Sequence, residues 1–324
     1  MNKDVEKSRL RISRRRALAV GGTVSLGGLI AACTGNGSSS TSASATSTAT
    51  ASSATTTSAD TVTALLDQAP QCVLAVEETQ GPYWFDVDSI RSDIREDRPG
   101  TDLQLALRVQ DLTNCSADGS AAVVSNAVVE IWHCDAGGVY SGFESGSKAA
   151  DLSGNGAPAG APPAGGPGGG QPPAGGPGGA GGPGAGGPGG DMSGGSGEAS
   201  DGSYSVGDSE ATTTDDGTYL RGAQATDANG IAQFTTVFPG WYISRTTHIH
   251  LKVHIDKKTV LTTQLFFDEA LLDEVYATAP YSDHTGRENN VNNSTDSIYD
   301  DAGLLTVAKQ SDGYLAAINL GIDV

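Results

Sequence analysis

The rarest polar residues of this chain are concentrated in one segment. Five histidines occur in 324 residues, and two of them close the run Phe238-Pro239-Gly240-Trp241-Tyr242-Ile243-Ser244-Arg245-Thr246-Thr247-His248-Ile249-His250. Alternate side chains of an extended strand share a face, so His248 and His250 lie about 6.6 Å apart along it, with Ile249 turned into the core. Two imidazoles so spaced can chelate one metal ion, although His-x-His also arises by chance. His254 shares that face two steps further on, too far from His248 to reach the same ion, and reads as a surface or cross-strand residue. His133 and His284 stand alone and read as structural or solvated.

The elements that must carry these residues have a period of two. Leu103 to Val109 alternates, Ala127 to Trp132 is rich in β-formers, and Ile231 to Val237 follows the turn signal Asp227-Ala228-Asn229-Gly230. His248 to Ile255 alternates again and is joined to Leu261–Phe267 through the tight turn Asp256-Lys257-Lys258. Glu269 to Ala277 is the one helical signal. Short strands with turn residues between them predict an all-β fold, an antiparallel β-sandwich.

Composition divides the chain around that domain. Residues 1–32 end a basic stretch with Ser13-Arg14-Arg15-Arg16, continue with an uncharged run from Ala17 to Ala32, and are followed by Cys33. This is the layout of an export signal, similar to a twin-arginine signal closed by a lipobox in which Cys33 is lipidated. The run is short for a membrane span of roughly 20 residues. Residues 33–69 read as a flexible tether rich in Ser, Thr and Ala, unable to bury enough apolar surface to order itself. Residues 70–324 form the folded domain, interrupted by a disordered Gly/Pro-rich insert at 153–203 whose glycine spacing drifts too much for a collagen helix.

The formal charge is −19. The first 32 residues hold seven of the bases and two of the acids, leaving the remainder at −24. So acidic a body argues against nucleic acid as a partner and against adhesion to anionic lipid, so membrane contact is expected only through the anchor at Cys33. Beyond Cys33 the chain has Cys72, Cys115 and Cys134, an odd number for an oxidising compartment. A straight strand from Ala127 to His133 separates Cys115 from Cys134 by roughly 20 Å, beyond disulfide reach, so any bridge is expected to involve Cys72.

Five motifs, taken together and in order, resemble the intradiol ring-cleavage dioxygenases, the catechol and protocatechuate dioxygenases, and in particular their exported members. They are Gly81-Pro82-Tyr83-Trp84, Ile94-Arg95-Glu96-Asp97, Trp132-His133-Cys134-Asp135-Ala136-Gly137-Gly138-Val139-Tyr140-Ser141, the Phe-Pro-Gly-Trp-Tyr run ending at Tyr242, and His248-Ile249-His250. The likeness spans about Cys72 to Phe267 apart from the insert, and the helical N-terminal dimerisation region of such enzymes has no counterpart here.

That resemblance implies one ferric ion per site, Fe(3+), held by Tyr140, Tyr242, His248 and His250. It implies that Tyr242 leaves the metal to take a proton from a catechol while Tyr140 stays. It implies Arg245 as the cation that stabilises negative charge on the ring, Gln264 as its neighbour, and Tyr83 as a wall of the substrate site. The implied reaction joins a catechol with O2 and opens the ring between the two hydroxylated carbons to a cis,cis-muconate. Cys134 is a poor candidate ligand, because ferric iron prefers oxygen and nitrogen. Three other readings compete. A silent transthyretin-like binding module has no reason to keep this residue set together, a zinc hydrolase wants a third His or a carboxylate, and extradiol cleavage wants two His and one carboxylate.

Overall fold

The computed structural model describes residues 58–113, 115–116, 121–145 and 197–324. The signal at 1–32, Cys33, the first part of the tether and most of the insert lie outside these residues.

Among the described residues, nine strands make two packed sheets. In chain order they are β1 (Asp102–Asp111), β2 (Ala122–Val123), β3 (Val128–Trp132), β4 (Arg221–Ala225), β5 (Ile231–Val237), β6 (His248–Ile255), β7 (Lys258–Phe266), β8 (Thr306–Gln310) and β9 (Gly313–Ile322). One sheet runs β2-β1-β9-β8 with β5 also paired to β1, and the other runs β4-β3-β6-β7. The core between them takes Leu103, Leu105, Leu107 and Val109 from β1, Val129 and Ile131 from β3, and Ile249, Leu251 and Val253 from β6. The period-two reading of these strands therefore holds, with Ile249 facing inward as expected. The β6–β7 hairpin turns on Asp256 and Lys257, both at positive φ, the pairing that matches the right-handed twist of a two-residue turn.

The sheets are not wholly antiparallel. β9 lies parallel to β1 over ten residue pairs, from Asp102 opposite Gly313 to Asp111 opposite Ile322. β9 is buried along nearly its whole length, so its sequence shows a continuous apolar run rather than alternation. The helix signal at Glu269 is realised as α2 (Glu269–Tyr276), capped by Asp268, which accepts from the Ala270 N–H at 2.9 Å.

The tether reading at 33–69 needs correction at its end, because Ala59–Gln68 form a helix, α1. Ser58 caps it, and Val62, Leu65 and Leu66 bury one face against Ala106, Ile231, Leu315 and Ala317 on the outside of the first sheet. The buried amide of Asn319 on β9 fastens the far end of α1, donating to the Leu66 and Pro70 carbonyls at 2.9 and 3.1 Å. Three apolar positions at i, i+3 and i+4 suffice here, a signal drowned by the Ser/Thr/Ala composition around it. Cys72 is bridged to Cys115, with Cα atoms 6.1 Å apart, and Cys134 is buried and unbridged. The end of the insert differs likewise from its reading. Residues 197–203 are ordered, with Ala199 bridged to Ser209, and no described helix is long and apolar enough to cross a membrane.

Candidate metal centre

Four side chains from three elements meet at the outer face of the second sheet. His248 and His250 come from β6, Tyr140 from the turn after β3, and Tyr242 from the loop after β5. The first turn is built by Asp135, whose carboxylate accepts from the Gly137 and Val139 N–H groups at 2.9 and 3.0 Å, while Gly138 takes positive φ. The two tyrosine-bearing segments touch at Gly240. Its N–H donates to the Asp135 carbonyl at 3.1 Å, and a Cβ there would stand 2.5 Å from the carbonyl oxygens of Asp135 and Ala136. Only glycine lets the two turns close to this distance. On the opposite side Gly81 presses on His250, its virtual Cβ 3.1 Å from Cε1.

The donor atoms converge on one point. From His248 Nε2 the distances are 3.1 Å to the Tyr242 hydroxyl, 3.2 Å to His250 Nε2 and 3.5 Å to the Tyr140 hydroxyl. Donors bound to one ion at roughly 2.0–2.2 Å stand roughly 3.0–3.6 Å from one another, so the set fits a metal ion. His248 Nδ1 is bonded to the Thr246 carbonyl at 2.7 Å, which leaves Nε2 as the lone-pair nitrogen. His250 stacks flat on Trp132, 5.0 Å between centroids and 3° between planes. Its Nδ1 is buried with no protein partner. Tyr83 stacks on Tyr140 at 4.7 Å, so it belongs to the wall of the centre.

Burial sets the protonation of this group. It holds both imidazoles far below their ordinary range, which keeps them neutral. It pushes both phenols up, with Arg245 pulling Tyr242 the other way. Ionised phenols here therefore require a strong cation beside them, and a hard trivalent ion is the kind that suits phenolate oxygen. Among the described residues no three His, Cys, Asp or Glu side chains gather as metal ligands, so the donor sets of a zinc hydrolase or an extradiol site are not formed. Cys134 is a buried thiol whose Sγ lies 3.4 Å from the Gly240 carbonyl oxygen, with ionisation disfavoured by burial.

Arg245 is held from two sides. Its Nε donates to Asp296 at 2.8 Å and one Nη donates to the Gln264 side-chain carbonyl at 2.7 Å, so the resemblance-implied pairing of Arg245 with Gln264 is present in the geometry. Asp296, with 1% of its side chain exposed, also accepts from the Thr246 N–H at 2.7 Å. Asn290 donates to the carbonyls of Tyr242 and Arg245 at 3.1 and 2.9 Å and accepts from Ser244 N–H, where Ser244 has positive φ. Sequence reasoning missed Asp296 and Asn290, which lie in an aperiodic polar stretch whose one visible oddity is the run Asn289-Asn290-Val291-Asn292-Asn293. Glu78 was also missed. Burial pushes its carboxyl up to about 8, against the pull of Arg245.

The remaining histidines are structural. His133 is buried and bonded to Thr236 and the Cys134 carbonyl. His284 stacks on Trp241 at 3.9 Å. His254 is not on the surface: it is buried and pairs across the strands with Glu130 at 3.2 Å, because the segment around Tyr204 covers that face.

No protein-family model and no curated protein matches the chain. Among solved structures, an intradiol ring-cleavage dioxygenase from Tetranychus urticae is 25% identical, with 78% of this chain and 95% of that one covered and a TM-score of 0.53. The chain has the intradiol ring-cleavage dioxygenase fold. A second solved dioxygenase matches equally, at 25% identity over 78% of this chain and 95% of that one, with a TM-score of 0.52. The intradiol dioxygenase resemblance carried by the five motifs and the all-β sandwich are both borne out. In this dioxygenase fold the outer face of β6, rather than the core between the sheets, carries the converging donors.

Proposed function

We propose that this protein is an exported, lipid-anchored ferric intradiol dioxygenase that opens catechols between their two hydroxylated carbons, with O2, to cis,cis-muconate-type products. The observation that carries the reading is the convergence of two phenol oxygens and the His250 imidazole nitrogen within 3.1–3.5 Å of His248 Nε2. Tyr140, Tyr242, His248 and His250 would hold Fe(3+), which when bound supplies a Lewis acid that draws a catechol in as its dianion and makes the ring reactive toward O2.

The residues around the donors have separate tasks. Tyr140 is fully buried and stacked on Tyr83, whereas Tyr242 is half-buried on a loop, so Tyr242 is the phenol able to swing away and accept a catechol proton. Asp296 and Gln264 fix the plane of Arg245 and leave its other Nη to face negative charge developing on the substrate ring. Tyr83 bounds the substrate.

The test is the visible spectrum of the full iron-loaded chain, recorded before and after anaerobic addition of catechol. A red-brown phenolate-to-iron band that moves to longer wavelength is expected. A colourless protein indifferent to catechol would overturn the reading. The export part is checked separately, since Cys33→Ser should turn a membrane-associated protein into a soluble one, and an unchanged distribution would refute the anchor.

A further inference from the structure

The registers of the second sheet set four side chains in one transverse row. Arg221 on β4 is opposite Trp132 on β3, Trp132 is opposite His250 on β6, and His250 is opposite Gln264 on β7. Three of the four have a place in the centre: Trp132 under His250, His250 as a donor, Gln264 on Arg245. Arg221 has none so far.

Its surroundings are unusual for a cation. The residue is 2% exposed, and among the described residues no carboxylate lies within ion-pair distance of it. Its Nε donates to Ser141 Oγ at 2.9 Å and Nη2 to the Ser141 carbonyl at 2.8 Å. The guanidinium lies 4.3 Å over the Phe85 ring and 5.9 Å from that of Phe143, and Nη1 is buried with no protein acceptor. Burial pulls it down to about 9, which leaves it charged at neutral pH, and the groups whose ionisation would favour its charge are, in order, Tyr140, Glu130, Tyr219 and Asp215.

Burying an unpaired cation is strongly unfavourable. Two ring faces and one serine offset part of that cost, and a methionine of similar length would avoid it altogether. The centre next door explains the cation. Ser141 follows Tyr140 in the chain, and the loaded centre would gather anionic oxygens from the two phenols before substrate binds and from Tyr140 and a catechol afterwards. Arg245 cannot balance them alone, because Asp296 takes its charge. Among the described residues, Arg221 has no carboxylate at ion-pair distance to take its charge.

We propose that Arg221 is a positioning residue of the metal centre: its buried guanidinium, clasped by Ser141 and in ion-pair contact with no described carboxylate, supplies fixed positive charge behind Tyr140 and so supports anionic oxygens at the site. This inference rests on the metal reading above. Withdrawing a positive charge from beside a phenolate raises the energy of its electrons, so the phenolate-to-iron band moves to longer wavelength.

The experiment compares the iron-loaded full chain with Arg221→Met and Arg221→Lys, measuring the visible band and the anaerobic dissociation constant for catechol. The Met variant should show the band at longer wavelength and bind catechol about 10- to 100-fold more weakly, while the Lys variant, which keeps the charge, stays near the parent. A folded Met variant with both readouts unchanged overturns the proposal, as do equal shifts in Met and Lys, which would assign the effect to packing. If neither variant folds, Ser141→Ala, which removes one clasp, should move the band in the same direction by a smaller amount, and no movement there overturns it too. A parent protein without any such band would bring down the metal reading itself and this inference with it.

Discussion

The outer faces of the two sheets are both covered, by opposite means. The first sheet buries Ala106, Ile231, Leu315 and Ala317 under Val62, Leu65 and Leu66 of α1, an apolar contact needing no partner of specified charge. The second sheet buries the row Arg221, Trp132, His250 and Gln264, and beside it Glu130 and Lys252, opposed across β3 and β6. There Glu130 is held by Trp84 and His254, and Lys252 by Asp208 and the face of Trp84. Removing an apolar group from the first face weakens the fold. Removing a polar group from the second changes the chemistry or strands a charge.

The largest effect is expected from Tyr242→Phe or His248→Ala, each of which should abolish turnover, the first weakening the visible band because Tyr140 remains and the second removing it with the metal. Parent rates in either variant would show that the second face does not carry the centre. On the first face, Leu66→Ala should cost about 2–5 kcal/mol of stability in denaturant titrations while leaving the visible band in place. A displaced band would mean that the two faces are coupled.

Asp296→Asn should lower kcat about 10- to 100-fold with the fold retained, since it loosens Arg245 rather than removing it. A loss confined to KM would assign Asp296 to substrate entry. The smallest effect belongs to Glu78. With its pKa at about 8 rather than the usual 4.5, the folded chain keeps a proton that the unfolded chain releases across that interval. Its contribution is complete below about pH 4.5 and lost as the pH rises through 8. Glu78→Gln should therefore flatten the fall in stability between pH 4.5 and 8, measured as the denaturation midpoint, and an unaltered slope would show that Glu78 ionises normally.

How much of this was legible beforehand follows from how local each signal is. The alternation in β1, β5 and β6 is a property of neighbours in sequence, and it predicted both the strands and the shared face of His248 and His250. The tyrosines were another matter. Nothing in the spacing of Tyr140 and Tyr242 marks them as ligands, and only their motifs, set in order, did so. Asp296, Asn290 and Arg221 were invisible because their partners lie 51, 48 and 80 residues away in sequence. β9 hid for a different reason, since burial on both faces erases alternation. α1 hid because its docking depends on Asn319, at the other end of the chain.

The chain leaves the site at Ser145 and returns at Gly197, and both banks of that crossing are fastened, the returning one by the Gly197 N–H donating to the Glu210 carbonyl at 2.6 Å. The Asp215 carboxylate accepts from the Glu144 N–H at 2.7 Å, and the Gly142 carbonyl from the Thr214 N–H at 2.7 Å. Whatever length lies between the banks, the ends are held by residues that do not belong to it, and lengthening a closed loop costs little, about 0.6 kcal/mol for each doubling. In the history of a gene such a place is a port: sequence can be gained, lost or exchanged there while Tyr140, five residues upstream of the crossing, keeps its station.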